Sequence, residues 1–402
     1  MREKLLHFIW RHHYFNHQRL LTTSGLPLEI LSPGRWNTDQ GPDFRNARIR
    51  IGERLCEGPV ELHVAASDWV RHAHDGDVHY LDTILHVVWE NDWQGGDGDS
   101  MTPGGIPILE LQHRVPKLLL ARYANWMNSP FFIPCERQLG QAPGQLVADW
   151  QRQVLFERLQ QRTAYIRECL DETHQDWEET TWIWMARSMG MPVNTASFEA
   201  IARSLPVRLL ARYRLQRSTL EALLLGQAGL LGASGGNFPE LQKEYRFLKK
   251  KHGLTPPSIP VSFLRMRPAH FPTVRLVQLA DLIATGWFAT IREAGSADEV
   301  LRLLEGRKGL GSDMRRGLLI NAFIPLLFAY GWLRGEPACR EKALRWLKEF
   351  RSERNRTLTR WRDTGITPVN AGDSQALLQL KHDYCDARRC LDCGIGRALL
   401  AH

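Results

Sequence analysis

The chain lacks a clean membrane-spanning segment. Its longest apolar stretch, Gly317 to Leu333, only reaches the lower length limit for a span and is interrupted by Asn321 and Pro325. That pattern predicts a buried helix. The opening MREKLLHFIWRHHYF is too charged and too broken to read as a secretory leader. Together these absences predict a cytoplasmic protein with no membrane partner. The glycine-rich stretch QGGDGDSMTPGG has no Lys-Ser/Thr ending and no strand-to-helix setting, so it reads as a flexible hairpin or insertion and not as a phosphate cradle. No HExxH and no internal repeat occur. Cysteine is scarce, with seven residues, an odd number. Without export, reduced thiols or a metal site are expected rather than disulfides.

What is present is an ordinary globular composition, 43% hydrophobic and 24% charged over 402 residues. That length predicts two or three domains. A net charge of +8 favours an anionic partner, nucleic acid first. Fourteen tryptophans are many, most of them for the core and a few free to stack on bases.

Residues 2–15 have Leu5, Leu6, Ile9 and Trp10 on one side, which predicts a helix. Glu3 in its first turn favours the helix dipole, with a metal-facing role as the alternative. His7, His12, His13 and His17 read chiefly as surface histidines. Strand-like runs follow at LPLEILS, FRNARIRI, GPVELHV, TILHVVWEND and IPILELQHRV, with a histidine-rich linking segment, SDWVRHAHDGDVHY, before the fourth. From about residue 116 the spacing turns helical. The expected domains are therefore 1–115, α and β together; 116–375, mostly helical; and 376–402, a cysteine-bearing tail.

Chemistry concentrates between Trp36 and Asn91. Glu61 and His63 alternate on one strand and so share a face. If FRNARIRI pairs with that strand, Asp43 comes round beside Glu61, and two carboxylates and an imidazole meet. Hard carboxylate oxygens suit Mg²⁺ or Mn²⁺. A separate reading takes His72, His74, Asp77 and His79, with His86 on the next strand, as a first-row metal site. A purely structural reading leaves Asp43 as a turn residue and Glu61 and His63 on an exposed sheet face.

The order helix–strand–strand–strand–segment–strand, with Pro42-Asp43 on one strand and Glu61-x-His63 on the next, resembles the PD-(D/E)xK nuclease superfamily, the restriction-endonuclease-like fold. The resemblance covers the first quarter of the chain and implies an N-terminal mixed sheet; with the helical spacing beyond residue 116, the expected fold is α+β, that sheet followed by a mostly α-helical domain. The resemblance also implies that Asp43 and Glu61 bind Mg²⁺ or Mn²⁺ and that His63 stands where a lysine usually manages the attacking water. Over nearly the full chain, GPDFRNA, GPVELHV with SDW, LHVVWEND, RPAHFPTVRLVQLA and YCDARRCLDCGIG resemble an uncharacterised bacterial family known only as a domain of unknown function.

Cys385, Cys390 and Cys393 form C-x4-C-x2-C, the densest chemical signal in the sequence. Thiolates this close predict zinc or an iron–sulfur cluster, with His382, Cys339 or Cys135 as fourth ligand. Lys249 and Lys250, interleaved with Tyr245 and Phe247, and Arg265, Arg267 and Arg275 are the candidate nucleic-acid contacts, a solvated face being the plainer alternative for the lysines. The leading expectation is metal-dependent hydrolysis of phosphodiester bonds in DNA or RNA. The alternatives are a non-catalytic nucleic-acid-binding or scaffold protein and a histidine-based metal hydrolase of small substrates.

Overall fold

Apolar spacing in the first residues dictates the first element. Helix α1 (Glu3–Arg11) buries Leu5, Leu6, Phe8, Ile9 and Trp10 on one face, with Glu3 at its positive end and Arg11 at its negative end. In this computed structural model the described residues are 1–74, 77–93, 102, 104–232, 238–264, 266, 268–283, 286–306 and 309–401. The glycine-rich stretch falls outside them, apart from Thr102, Gly104 and Gly105.

The protein is mixed α and β, an N-terminal sheet followed by many helices. The strands are β1 (Leu28–Ser32), β2 (Arg35–Trp36), β3 (Phe44–Ile51) and β4 (Arg54–Ala65). The short helix α2 (Asp68–Arg71) then leads to β5 (Leu85–Glu90) and β6 (Ile108–Glu110). Their order across the sheet is β1-β3-β4-β5-β6, with β2 also on β3. β1, β3 and β4 are antiparallel neighbours, while β4–β5 and β5–β6 are parallel. A tight turn at Gly52 joins β3 to β4 and pairs Ile51 with Arg54. The parallel register sets Glu61 opposite His86. α1 packs against β4, so Leu6, Ile9 and Trp10 join Val60, Leu62 and Val87 among fully buried residues.

The chain divides into two compact units, Met1–Trp150 with Lys381–His402, and Gln151–Leu380. These divisions differ from those drawn on the sequence at 115 and 375. After β6 the first unit still contains helix α3 (Lys117–Met127), and the last residues return to it. Helix α4 (Gly144–Glu172) runs unbroken through the division at residue 150, so no glycine, proline or loop marks it in the sequence.

The second unit is helical around Trp182, Trp184, Trp287, Phe323, Phe328 and Trp346. Ser312–Leu333 is long and apolar enough to cross a membrane, but most of it is buried inside the protein. Polar groups near its middle are paired within the fold. Asn321 Oδ1 accepts from Arg162 Nη2 at 3.1 Å, and Trp184 Nε1 donates to the Ala322 carbonyl at 3.1 Å.

Trp10 is fully buried, and its Nε1 donates to the Pro33 carbonyl at 3.0 Å. Trp10→Ala should therefore destabilise the first unit by about 3–5 kcal/mol. Denaturant unfolding measures this; a loss below about 1 kcal/mol would contradict the packing of α1 on the sheet.

Candidate metal centre

Asp43 is held in place by the loop that precedes it. The Asn37 amide donates to the Asp43 carbonyl at 2.7 Å, and Asn37 Nδ2 donates to the Pro42 carbonyl at 2.9 Å. Gly41 takes φ +97°, a left-handed conformation that glycine adopts without strain. The chain thus enters β3 with Asp43 turned across to β4. There the two carboxylates lock each other's backbone: the Asp43 amide donates to Glu61 Oε2 at 3.0 Å, and the Leu62 amide donates to Asp43 Oδ2 at 3.1 Å. His7 comes in from α1, with Nε2 3.1 Å from Asp43 Oδ2 and 3.7 Å from Glu3 Oε1. Neither contact is oriented as a hydrogen bond, so that buried nitrogen faces two carboxylates without bonding either.

On the other side of Glu61 the histidines gather. His63 Nδ1 lies 2.9 Å from His86 Nε2, and His63 Nε2 lies 3.1 Å from His72 Nδ1. Glu61 Oε1 is 3.5 Å from both His63 Nε2 and His74 Nε2. Strand parity puts Glu61 and His63 on one face, β5 supplies His86, and the turn after α2 supplies His72 and His74. Trp69 forms a wall, its ring edge-on to His63 and His74. Tyr80 stacks on His74 at 3.8 Å.

The electrostatics follow from burial. Glu61, 5% exposed, is pushed up to about 9, first by loss of water and then by the Asp43 charge, with the Asp43 amide pulling the other way. His63, 2% exposed, is lowered to about 2 by burial and then by His86, His74, His72 and His7. His86 falls to about 3, by burial and then His74. Burial and the Glu61 and Asp43 charges raise the Tyr80 phenol to about 12. A ring held near 2 takes up no proton at neutral pH, so His63 offers a lone pair instead of acting as a base.

Among the described residues, two groups of side chains have donor atoms within 4.8 Å of one another and could hold a cation: His63, His72 and His74, with Glu61 beside them; and Glu3, His7 and Asp43. Donors bound tetrahedrally at about 2.0–2.1 Å stand about 3.4 Å apart. The 3.1, 3.5 and 3.5 Å separations around His63 and Glu61 match such edges. Imidazole-rich donors suit zinc and its first-row neighbours better than Mg²⁺, which seeks oxygen. The carboxylate pair and the histidine segment, separate readings of the sequence, are therefore one cluster. His86 stands behind His63 as an orienting partner, with its own Nδ1 buried and unbonded.

Other expected residues lie elsewhere. Asp77 and His79 pair with each other at 2.6 Å. His13 and His17 lie beside each other, their tilted rings 5.0 Å apart. Arg275 is 5% exposed, and its guanidinium is turned inward to Gln278 and His270, which takes it out of reach of a nucleic-acid backbone. Arg265 and Arg267 lie outside the described residues. Lys249 and Lys250 are exposed at the end of the helix Pro239–His252 of the second unit. The sequence reading missed His7 as a partner of Asp43. The signal was there, because Glu3 and His7 are four apart and share a helix face.

Stability against pH tests this electrostatic arrangement in the metal-free protein. Glu61 holds its proton more tightly when folded, so its contribution is full below about pH 4.5 and is lost as pH rises through about 9. His63 and His86 hold theirs less tightly when folded, so their contribution is full above about pH 6.5 and is lost as pH falls toward 2–3. The thermal midpoint should rise with pH to near neutrality and fall toward pH 9, and Glu61→Gln should remove the alkaline fall. A wild-type midpoint that stays level from pH 7 to 9 would refute the buried, proton-holding Glu61.

Residues 3–307 match a protein-family model, and this stretch contains every donor from Glu3 to His86. No curated protein and no solved structure matches the chain. The matched stretch spans most of the 402 residues, and the chain belongs to the family described as Protein of unknown function (DUF2851).

Proposed function

We propose that the first unit is a metal-dependent hydrolase of phosphodiester bonds in DNA or RNA, built on a histidine-held first-row metal. The observation that carries this reading is the donor spacing around His63 and Glu61. Strand order supports the substrate class. α1, the antiparallel β1, β3 and β4, the short α2 and the parallel β5 follow one another as in the restriction-endonuclease-like core. Pro42-Asp43 precedes β3 and Glu61-x-His63 lies on β4, as in its motif. A chain charge of +8 and exposed Lys249 and Lys250 suit a polyanion.

In this reading Glu61, His63, His72 and His74 are the ligands, and His86 fixes the orientation of His63. A metal there would polarise a phosphoryl oxygen and acidify a bound water. His63 thus differs from the lysine it replaces, serving the metal and leaving the proton to other groups. Asp43, with His7 and Glu3, takes a second cation. Tyr80 keeps its proton to about pH 12 and is a hydrogen-bond donor for a phosphate oxygen. A small-substrate hydrolase is the second reading, favoured by the near-complete burial of Glu61 and His63.

The test is cleavage of end-labelled single- and double-stranded DNA and RNA, and of a small chromogenic phosphodiester, with Zn²⁺, Mn²⁺, Co²⁺ or Mg²⁺. Cleavage should be stronger with the first-row ions and should fall on the order of 100-fold or more in Glu61→Gln and His74→Ala. Turnover of the small ester alone would move the assignment to the second reading. Salt-sensitive nucleic-acid binding without turnover would make the protein a binder. Undiminished cleavage in both variants would sink the proposal.

A further inference from the structure

Four of the seven cysteines, distant in sequence, lie on packed elements of the first unit. Cys135 precedes the short helical turn Glu136–Gln141. The π-helical stretch Leu380–Asp386 carries Cys385, and a turn with Arg388 at φ +53° leads on to Cys390 and Cys393. Arg388 fastens that turn beside Cys135, donating to the Trp126 carbonyl at 3.0 Å and the Ser129 carbonyl at 2.6 Å. The helix Gly394–Ala401 then packs on the Glu136–Gln141 turn and on α3. Gly396 permits this path, because a side chain there would run into the Cys390 carbonyl. The Cys393 sulfur accepts the backbone amides of Ile395 and Gly396, which fixes it at the start of that helix.

All seven cysteines are free thiols, and Cys135, Cys390 and Cys393 are buried. His382, one of the fourth ligands weighed on the sequence, has a side chain 87% exposed and turned to Asp383. Cys339 belongs to the second unit. Cys135 is the candidate that the fold brings to the other three.

We infer that Cys135, Cys385, Cys390 and Cys393 form a four-thiolate metal site that fastens the C-terminal segment into the first unit. The ligand is a thiophilic metal, either one zinc ion or an iron–sulfur cluster, which share this ligation. The site ties Cys135 to the C-terminal segment, so it constrains a very long loop of unfolded chain. It is separate from the histidine centre and does not depend on the catalytic reading.

The experiment is metal, iron and acid-labile sulfide analysis of the full chain purified without oxygen, together with thiol titration before and after chelation. The variants are Cys135→Ser and Cys390→Ser, with Cys169→Ser as control and His74→Ala to separate the other centre. The expected result is about one zinc, or iron with sulfide and a brown colour, lost in Cys135→Ser and Cys390→Ser and kept in Cys169→Ser and His74→Ala. Cleavage of the C-terminal segment by protease should accelerate with that loss. If the serine variants do not fold, the wild type still decides: four thiols should be protected until chelator is added. Unchanged metal content in Cys135→Ser, or four thiols that react freely in the untreated wild type, would overturn the inference.

Discussion

Glu61 is where the constraints of the first unit meet. One carboxylate oxygen takes the Asp43 amide and so ties the start of β3 to β4, while the other faces His63 and His74. Burying a carboxylate in this way is unfavourable unless it is neutralised. The fold offers it two ways out, a proton held to about pH 9 or a cation shared with neighbouring imidazoles. Asp43 repeats the logic on the other side, with its Oδ2 on the Leu62 amide and His7 within 3.1 Å.

A cluster of five imidazoles and three carboxylates contributes little to folding on its own account. Each neutral buried ring gives up hydration, and His86 Nδ1 has no partner at all. The surrounding sheet and α1 carry that cost through residues such as Trp10, Phe44, Val60 and Leu62, all fully buried. The two central strands, backed by Trp69 and a packed helix, hold Glu61, His63 and His86 more rigidly than a loop would, while His72 and His74 come from the turn after α2. The metal site proposed at Cys135 and the C-terminal cysteines would follow a similar plan.

The sequence made several features legible because they are local. The face shared by Glu61 and His63 follows from strand parity, and the buried stripe of α1 follows from the spacing of Leu5, Leu6, Ile9 and Trp10. The apolar run through Asn321 and Pro325 reads correctly as a buried helix. Other features were hidden for equally physical reasons. β2 is only two residues long, too short to show alternation. Arg275 looks like a surface charge until the fold turns it to Gln278 and His270. The division at residue 150 lies inside one continuous helix, where no local signal can mark it.

The sequence by itself therefore determined the elements and the donor chemistry: which residues alternate, which stripe is apolar, and that carboxylates, imidazoles and thiols are present at suggestive spacings. Only the tertiary structure decided which of them meet. It merged Asp43 and Glu61 with His63, His72 and His74, brought in His7 from α1, and returned the segment with Cys385, Cys390 and Cys393 to the unit that contains Cys135. The reason is one of range. Backbone periodicity acts over a few residues, while convergence of distant donors is fixed by which faces of α1, the sheet and the returning C-terminal segment can bury one another.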